Sequence, residues 1–411
     1  MDHQHKEVTS TQPYEFKTRN RMIAGIMIII GLISVIAQFA THYEQTWPNL
    51  LMNNYFFMII ALGSTFFLAV QYVAEVGWSV VVKRILEAIS QYLWVAAFIM
   101  ILILIFGGHH LYHWMSAGIT DPKSPEYDEI IAGKSGFLNP TFFWIRVGFY
   151  FIVWIGFAHL FRKNSLKMDS DLSNANDYYN SNKKYGAAFL VIFAITSSTM
   201  SWDFVMSIES HWYSTLFGWY TFAGLFVTSM SILAFAVGYL KSKGYLPEIT
   251  DNHIQDIGKF MFAFSIFWTY LWFAQFMLIW YANIPEEVTY FMLRQDHYKG
   301  IWLGAFFINF ICPFIILMTR DAKRKIKLLM SMSVLIFIGH WMDTYIMVIP
   351  GSMALHGHEG VPLIGQIGWM EIGTTIGFLG LFIYMVQHHL SKAPLVIKNH
   401  PMMEESLYHV I

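Results

Sequence analysis

Cysteine is almost absent from this sequence: Cys312 is the only one among 411 residues, and it lies within an apolar stretch. A single cysteine can form no disulfide within the chain, and it cannot supply the thiolate set that holds an iron–sulfur cluster. No C-x-x-C-H pattern for haem attachment occurs either. If the protein takes part in electron transfer, we therefore expect the redox cofactors to be held mainly by partner chains.

Charged residues are also scarce. They make up 13% of the chain, whereas hydrophobic residues make up 56%, and an ordinary soluble domain carries about 25% charged residues. So few charges cannot cover a globular surface, so we expect the lipid bilayer to be the solvent. The formal net charge of -1 gives no reason to expect a nucleic-acid partner.

Long apolar runs fill most of the chain. Ten of them are close to 20 residues, the length that a helix needs to cross about 30 Å of hydrocarbon. Numbered as spans 1 to 10, they are 22–40, 55–73, 85–107, 142–160, 187–204, 216–240, 260–281, 301–318, 328–349 and 367–386. The sequence therefore predicts an all-α integral membrane protein with ten transmembrane helices. It would have an amino tail at 1–21, a membrane domain at 22–390 and a carboxyl tail at 391–411. The longest predicted loops are an outer one at 108–139 and an inner one at 161–186.

Basic residues give a second test of these spans, because short cytoplasmic loops collect lysine and arginine. With the amino tail inside, only Lys123, Lys134, Arg294 and Lys299 fall in outer loops, and Arg146 falls within span 4. The other 21 of the 26 basic residues lie inside. A missed or spurious span would destroy this asymmetry. We therefore predict that both termini are cytoplasmic.

Polar residues at membrane depth are candidates for function, because each costs several kcal/mol unless it faces a partner or water. In span 9, His340 and Asp343 are three residues apart and so share one helical face in the outer half. Span 10 places Glu371 at a similar depth. Spans 4, 5 and 7 bring further polar residues to the same half: Arg146, Asp203, Gln275 and Tyr281.

This outer set has two interpretations. Histidine and carboxylates could share protons or form hydrogen bonds to a quinone. Alternatively, Arg146 could pair with one of the carboxylates purely to join two helices.

A second, sparser set of polar residues lies near the inner surface: Glu75, Glu87, Gln91, His159 and Asp256. At this depth side chains can reach water by snorkelling, so a structural role is favoured. Taken together, the two sets have the form of two proton half-channels separated by apolar layers. His159 and His340 lie in opposite halves, so they cannot form the pair of axial ligands that a membrane haem needs.

Four stretches of sequence carry a more specific signal. They are SWDFVMSIESHWYSTLFGWY from Ser201, GKFMFAFSIFWTYLWFAQFMLIWYANIPEE from Gly258, GHWMDTYIMVIPG from Gly339 and GWMEIGTTIGF from Gly368. They resemble the NrfD-like family of polysulfide-reductase membrane subunits. More narrowly, they look like the second, shorter NrfD-like subunit (ActF type) of bacterial alternative complex III, a quinol:cytochrome c oxidoreductase. The resemblance covers nearly the whole chain.

The resemblance implies a fold and a set of site residues. The fold would be two four-helix bundles, spans 2–5 and 6–9, flanked by spans 1 and 10. The family motifs contain the outer residues Asp203, Glu209, His211, His340, Asp343 and Glu371. The motif of span 7 contains Lys259, Tyr270, Gln275, Tyr281, Glu286 and Glu287.

The resemblance also implies a location and partners. The protein would lie in the bacterial cytoplasmic (inner) membrane among phospholipids, bind no cofactor covalently, and have access to a quinol such as menaquinol. Haems and iron–sulfur clusters would lie in partner subunits. The implied partners are a longer NrfD-like subunit with the quinol site, an iron–sulfur subunit, multihaem cytochrome c subunits, small membrane-anchored subunits and a terminal cytochrome oxidase. In that complex the longer subunit oxidises quinol.

Three functions stay open at this point. The leading hypothesis is a respiratory-complex subunit that supports quinol oxidation and conducts protons. A proton-coupled secondary transporter would also have ten helices and buried charges, but such helices are usually broken near the midplane. Only span 8, at Pro313, has a proline in mid-segment. The third hypothesis is an inert membrane scaffold for the complex.

Overall fold

The computed structural model describes residues 12–355 and 368–410, and ten of the helices there are long and apolar enough to cross a membrane. In chain order, α1 to α10 are Thr18–Thr41, Tyr43–Val73, Val80–Leu111, Pro140–Ser170, Ala175–Ile208, Phe217–Ser242, Asp251–Ala282, Lys299–Ile316, Ile326–Ala354 and Trp369–Leu390. Each contains most of the predicted span of the same number. The predicted all-α, ten-helix membrane fold is therefore confirmed.

The predicted inner loop at 161–186 is wrong. Helix α4 continues to Ser170 and α5 begins at Ala175, so only residues 171–174 connect them. Hydropathy marks only the part of a helix that lies in hydrocarbon, whereas a helix in water can continue with polar residues. Here the side-chain amide of Asn164 donates to Asn182 across the two extensions at 2.9 Å. Helix α2 also begins early, at Tyr43 and not at the predicted residue 55, because the buried amides of Asn49, Asn53 and Asn54 interrupt the apolar run in its first turns.

The helices pack as two groups of four around α2 and α6. Helices α2 to α5 contact one another, and so do α6 to α9, while α2 also packs against α6 and α9. Helix α2 is buried along nearly its whole length. This arrangement agrees with the predicted pair of four-helix bundles. It places α9, with His340 and Asp343, against α6, α8 and α2.

The flanking helices α1 and α10 form a closely packed pair through small residues. A Cβ atom added to Gly31 would overlap Gly377, and one added to Gly377 would overlap Gly31. Gly373 faces Ser34, and Gly380 faces the backbone of Ala24. In lipid, helices associate mainly by van der Waals contact, which small residues allow at short range.

The described parts of both tails lie at the end of the bundle that we call the inner end; the opposite end is the outer end. Several polar contacts, of which three follow, hold the carboxyl tail across the inner end. His409 Nε2 lies 2.7 Å from Asp256 Oδ2, and the backbone N–H of Lys398 donates to Asp169. His400 Nε2 lies 3.0 Å from Lys83 Nζ. Burial, and then the nearby charge of Lys83, hold the pKa of His400 well below its usual value.

Helix α8 is irregular at its centre. A π-helical turn, Phe307–Ile311, precedes Pro313. The turn places the buried side chain of Asn309 against Gly339 of α9, where any Cβ would collide with it. Such π turns commonly occur at functional sites. This one contacts α9 at Gly339, the residue that precedes His340.

Candidate proton site at the outer end

Asp343 of α9 is the centre of a buried polar group in the outer half. Its side chain is 5% exposed. Tyr220 of α6 donates a short hydrogen bond to Oδ1, and the indole N–H of Trp268 of α7 donates to Oδ2 at 3.1 Å. Three helices therefore fix one carboxylate. Because a buried carboxylate needs donors or a proton, Asp343 is suited to proton exchange.

His340 lies one helical turn before Asp343, as the spacing predicts. Its Nδ1 is 3.7 Å from Asp343 Oδ2, and its ring meets that of Trp268 edge-on with centroids 5.3 Å apart. Gly224 of α6 lies beside the ring, and a Cβ there would be in ordinary van der Waals contact with Nδ1 at 3.5 Å. His340 Nε2 is buried and has no hydrogen-bond partner among the described residues. It is therefore free to bind a proton, a water molecule or a ligand atom.

A cavity of about 510 Å³ opens at the outer end, above this buried group. Glu209, His211, Trp212 and His297 contribute to its lining. Glu209 Oε1 accepts a hydrogen bond of 2.7 Å from Arg294 Nη2. The cavity therefore gives water access to one partner of a largely buried ion pair.

Arg294 and two tyrosines connect the cavity with Asp343. The Arg294 guanidinium lies 3.3 Å from the centroid of the Tyr290 ring, and Tyr290 stacks on Trp212. Tyr290 and Arg294 in turn lie within electrostatic range of Tyr220, the hydrogen-bond donor to Asp343. We call these six residues the outer polar file: Glu209, Arg294, Tyr290, Tyr220, Asp343 and His340.

Sequence reasoning missed three members of the file: Tyr220, Tyr290 and Arg294. The sequence places Arg294 in an outer loop, but it is fully buried in the short helix Pro285–His297. It donates to the carbonyl oxygens of Tyr290 and Ile346 as well as to Glu209. Burial alone would lower the pKa of Arg294, but Glu209 and Tyr290 outweigh it and raise that pKa. A basic residue within an otherwise acid-rich amphipathic segment, EEVTYFMLRQD, was the available signal.

Arg146 and Asp203 form a separate, closed ion pair between α4 and α5. Arg146 Nε and Nη2 donate to the two Asp203 oxygens at 2.8 and 2.6 Å. Tyr150 donates to the same carboxylate at 2.7 Å, and Arg146 Nη1 donates to the Phe137 carbonyl. Every strong donor and acceptor of the pair is thus occupied. This geometry is typical of the structural alternative, in which the pair joins two helices.

Glu371 does not join Asp343 but ends a different chain of hydrogen bonds. It caps the start of α10 by accepting from the Gly368 N–H, and it accepts from Gln38 Nε2 of α1 at 2.8 Å. The amide chain continues from Gln38 to Asn49 and from Asn49 to Asn53 of α2, with each bond 2.8 Å long. These buried amides therefore tie α1, α2 and α10 together at the outer end.

Replacing Gln38 with leucine is expected to destabilise this junction. The change leaves Glu371 Oε1 and the amide nitrogen of Asn49 without their hydrogen-bond partner, and interhelical hydrogen bonds of this kind contribute about 0.6–1.7 kcal/mol in membranes. Thermal unfolding in detergent should therefore shift downwards. The control Thr18→Val, in the same helix at an exposed position, should leave unfolding unchanged; an equal shift in both variants would contradict the role of the amide chain.

The other outer candidates lie apart from the file. Tyr281 is 84% exposed and Tyr270 is 65% exposed, so both face lipid or solvent. Gln275 is buried, with its amide nitrogen unpartnered among the described residues. Glu286 is exposed and Glu287 half-buried in the first turn of the short helix Pro285–His297.

His211 lies at the mouth of the outer cavity. It is half-exposed, and its Nε2 lies 2.5 Å from Asp128 Oδ2. Partial burial of Asp128 opposes ionisation, but the Ile131 N–H and His211 outweigh it and lower the pKa of Asp128. His211 is therefore the part of the site most open to water.

The inner candidates form two groups and not one file. Glu87 is fully buried and pairs with Arg84 at 3.2 Å, while Gln91 donates to the Ala158 carbonyl and His159 is exposed. Asp256 lies between Lys259 and His409, 2.9 and 2.7 Å away. Glu75 pairs with Lys183 at the surface. Among the described residues, no hydrogen bond or ion pair joins the Glu87 group directly to the Asp256 group.

Comparison with known proteins does not assign a function to this site. The chain matches no model of a known protein family, and no curated protein matches it. The resemblance to NrfD-like subunits therefore stays a prediction. No cluster of three or more histidine, cysteine, aspartate or glutamate side chains suited to a metal ion occurs in the described part of the chain.

Proposed function

We propose that the protein is a membrane subunit of a respiratory quinol:cytochrome c oxidoreductase of the alternative complex III type, in which its outer polar file carries protons. The observation that carries the proposal is Asp343, a buried carboxylate held by Tyr220 and Trp268 beside the unpartnered Nε2 of His340. The sequence motifs that contain Asp343 and His340 support the choice of complex.

The chemistry of the file suits proton exchange with the outer side. When His340 Nε2 takes up a proton, Nδ1 can release one towards Asp343 Oδ2, which lies 3.7 Å away. Tyr220 can take that proton from Asp343 while its own phenol proton passes to a water molecule on the cavity side, because a phenol both donates and accepts. Arg294 stabilises negative charge on Glu209 at the cavity, from which a proton reaches water. Redox cofactors would lie in partner subunits, in keeping with the single cysteine.

Asp343→Asn is expected to reduce proton translocation by about 10-fold or more, because proton transfer through a positioned acid–base group typically contributes 10²–10⁴-fold. The measurement is the change in external pH on quinol oxidation by the purified complex in proteoliposomes. The matched control is Asp296→Asn, an exposed carboxylate at the same end, which should translocate normally. Unchanged proton translocation by Asp343→Asn, with a folded complex, would refute the proton role.

Membership of the complex has its own test. Purification through a tag on this chain should yield a particle with the optical spectrum of c-type haem and with acid-labile sulfide from iron–sulfur clusters. A chain that purifies alone from native membranes, with neither, would contradict the proposed complex. In that case the transporter hypothesis would gain support, and uptake driven by a proton gradient would be measured next.

A further inference from the structure

A basic cavity opens at the inner end between α3 and α4. It encloses about 480 Å³ and is lined by Gln91, His159, Arg162, Lys163, Leu166 and Lys167. No carboxylate contributes to this lining. Apart from Gln91, these residues come from one face of α4, since they recur at spacings of three and four.

Arg162 is the buried member of this lining. It is 7% exposed, and its Nη2 donates to the His389 carbonyl at 2.7 Å. Its Nη1 is buried and has no hydrogen-bond partner among the described residues. Glu87 attracts Arg162, but no hydrogen bond joins them: Glu87 Oε2 pairs with Arg84, and Glu87 Oε1 is also buried without a partner among the described residues. A buried guanidinium N–H without an acceptor is costly, so the site lacks one acceptor.

On the cavity side, the charged groups around Arg162 are of the same sign as Arg162 itself. Lys163 and Lys167 are exposed at the cavity, and neither forms an ion pair in the described part of the chain. Lys392 lies beside His389, to which Arg162 donates. A concave surface with one sign of charge concentrates counter-ions of the other sign. The missing acceptor is therefore expected to be anionic.

An exposed apolar stripe lies on the same face of α4, about two helical turns from the cavity and towards the outer end. Ile145, Phe149 and Ile152 are 62%, 49% and 75% exposed, and they share this face with His159 and Lys163. An acyl chain can lie along this stripe while a headgroup occupies the cavity at the membrane surface. Basic pockets between transmembrane helices on the cytoplasmic side bind anionic headgroups in this manner.

We propose that this cavity binds a phosphate group, with Arg162 Nη1 donating to a phosphate oxygen and Lys163 and Lys167 providing the surrounding charge. Guanidinium–phosphate hydrogen bonds are short and strong, which suits the buried position of Arg162. The phosphate could belong to an anionic phospholipid or be the free ion. The proposal is independent of the proton role of the outer polar file.

The test is a titration of the purified, delipidated protein with three ligands: phosphatidylglycerol, phosphatidylcholine with the same acyl chains, and inorganic phosphate. Binding is followed by native mass spectrometry and by the rise in unfolding temperature. Wild type is expected to bind phosphatidylglycerol more tightly than phosphatidylcholine. Lys163→Gln/Lys167→Gln should weaken phosphatidylglycerol binding by about 10-fold or more, since each basic residue near an anionic lipid contributes on the order of 1 kcal/mol.

The control is Lys325→Gln/Lys327→Gln, which removes two exposed charges at the same end but outside the cavity, and it should bind as wild type does. Arg162→Gln should lose binding and Arg162→Lys should restore part of it. If inorganic phosphate alone stabilises the protein through Lys163 and Lys167, the free ion is the ligand. If neither phosphatidylglycerol nor phosphate depends on these two lysines, the site does not exist.

Discussion

Arg146→Met is expected to lower the free energy of unfolding by about 3–5 kcal/mol, because it leaves the Asp203 carboxylate buried without its cation. The two side chains are 7% and 0% exposed and share two hydrogen bonds. Only Tyr150 would still donate to Asp203 after the change. The measurement is equilibrium unfolding of the purified protein in detergent micelles.

Two further variants separate the charge from the loss of the side chain. Arg146→Met/Asp203→Leu removes both charges and is expected to be more stable than Arg146→Met alone, since an apolar pair can replace a buried ion pair at little cost. Lys123→Met, an exposed outer lysine, should change stability by about 0.5 kcal/mol or less. A double variant no more stable than the single one would contradict this account.

The same double variant decides between the two interpretations of Arg146 and Asp203. If the pair only joins α4 to α5, a folded complex with Arg146→Met/Asp203→Leu should still translocate protons. A complex that folds but translocates no protons would place Asp203 on the proton path, despite its closed hydrogen bonding.

The ten helices could be predicted from the sequence because a membrane span is set by local properties, length and hydropathy. The predicted depth of each polar residue rests on the same two properties. Depth does not, however, fix where a residue lies in the plane of the membrane. Asp343 and Glu371 were expected together because they lie at similar depth, whereas α9 packs with α6 and α7 and α10 packs with α1. Lateral position depends on which helices are neighbours, and that is a property of the packed bundle.

Two groups of residues were hidden from sequence reasoning for different reasons. Arg294 looks like a loop charge because the segment around it is polar, and only its packing under α9 makes it buried. Gln38, Asn49 and Asn53 carry no charge, so a search for ionisable side chains at membrane depth does not find them. Asn49 and Asn53 are four residues apart, and this spacing on one helical face was the available signal.

Gly31→Leu is expected to separate α1 from α10 and to destabilise the protein by about 3 kcal/mol or more. Overpacking costs about 1–3 kcal/mol where neighbouring side chains can shift. Here the atoms opposite Gly31 are the backbone of Gly377, which can move only with its whole helix. Separation would also break the hydrogen bond between Gln38 and Glu371. The measurements are the unfolding temperature in detergent and the rate of proteolysis at the amino-terminal segment.

Helix α1 supplies its own control at Gly25, where an added Cβ meets no atom within 4 Å. Gly25→Leu makes the same chemical change on a different face of α1. Its unfolding temperature should stay close to that of wild type or rise slightly, because leucine has a higher helix propensity than glycine. Gly377→Leu should lower stability by a similar amount, because it introduces a side chain into the same contact from the α10 side. Because the two substitutions act on one interface, Gly31→Leu and Gly377→Leu combined should cost less than the sum of their separate effects. Additive losses, or a loss in Gly25→Leu equal to that in Gly31→Leu, would show that close packing of these glycines does not hold α1 against the bundle.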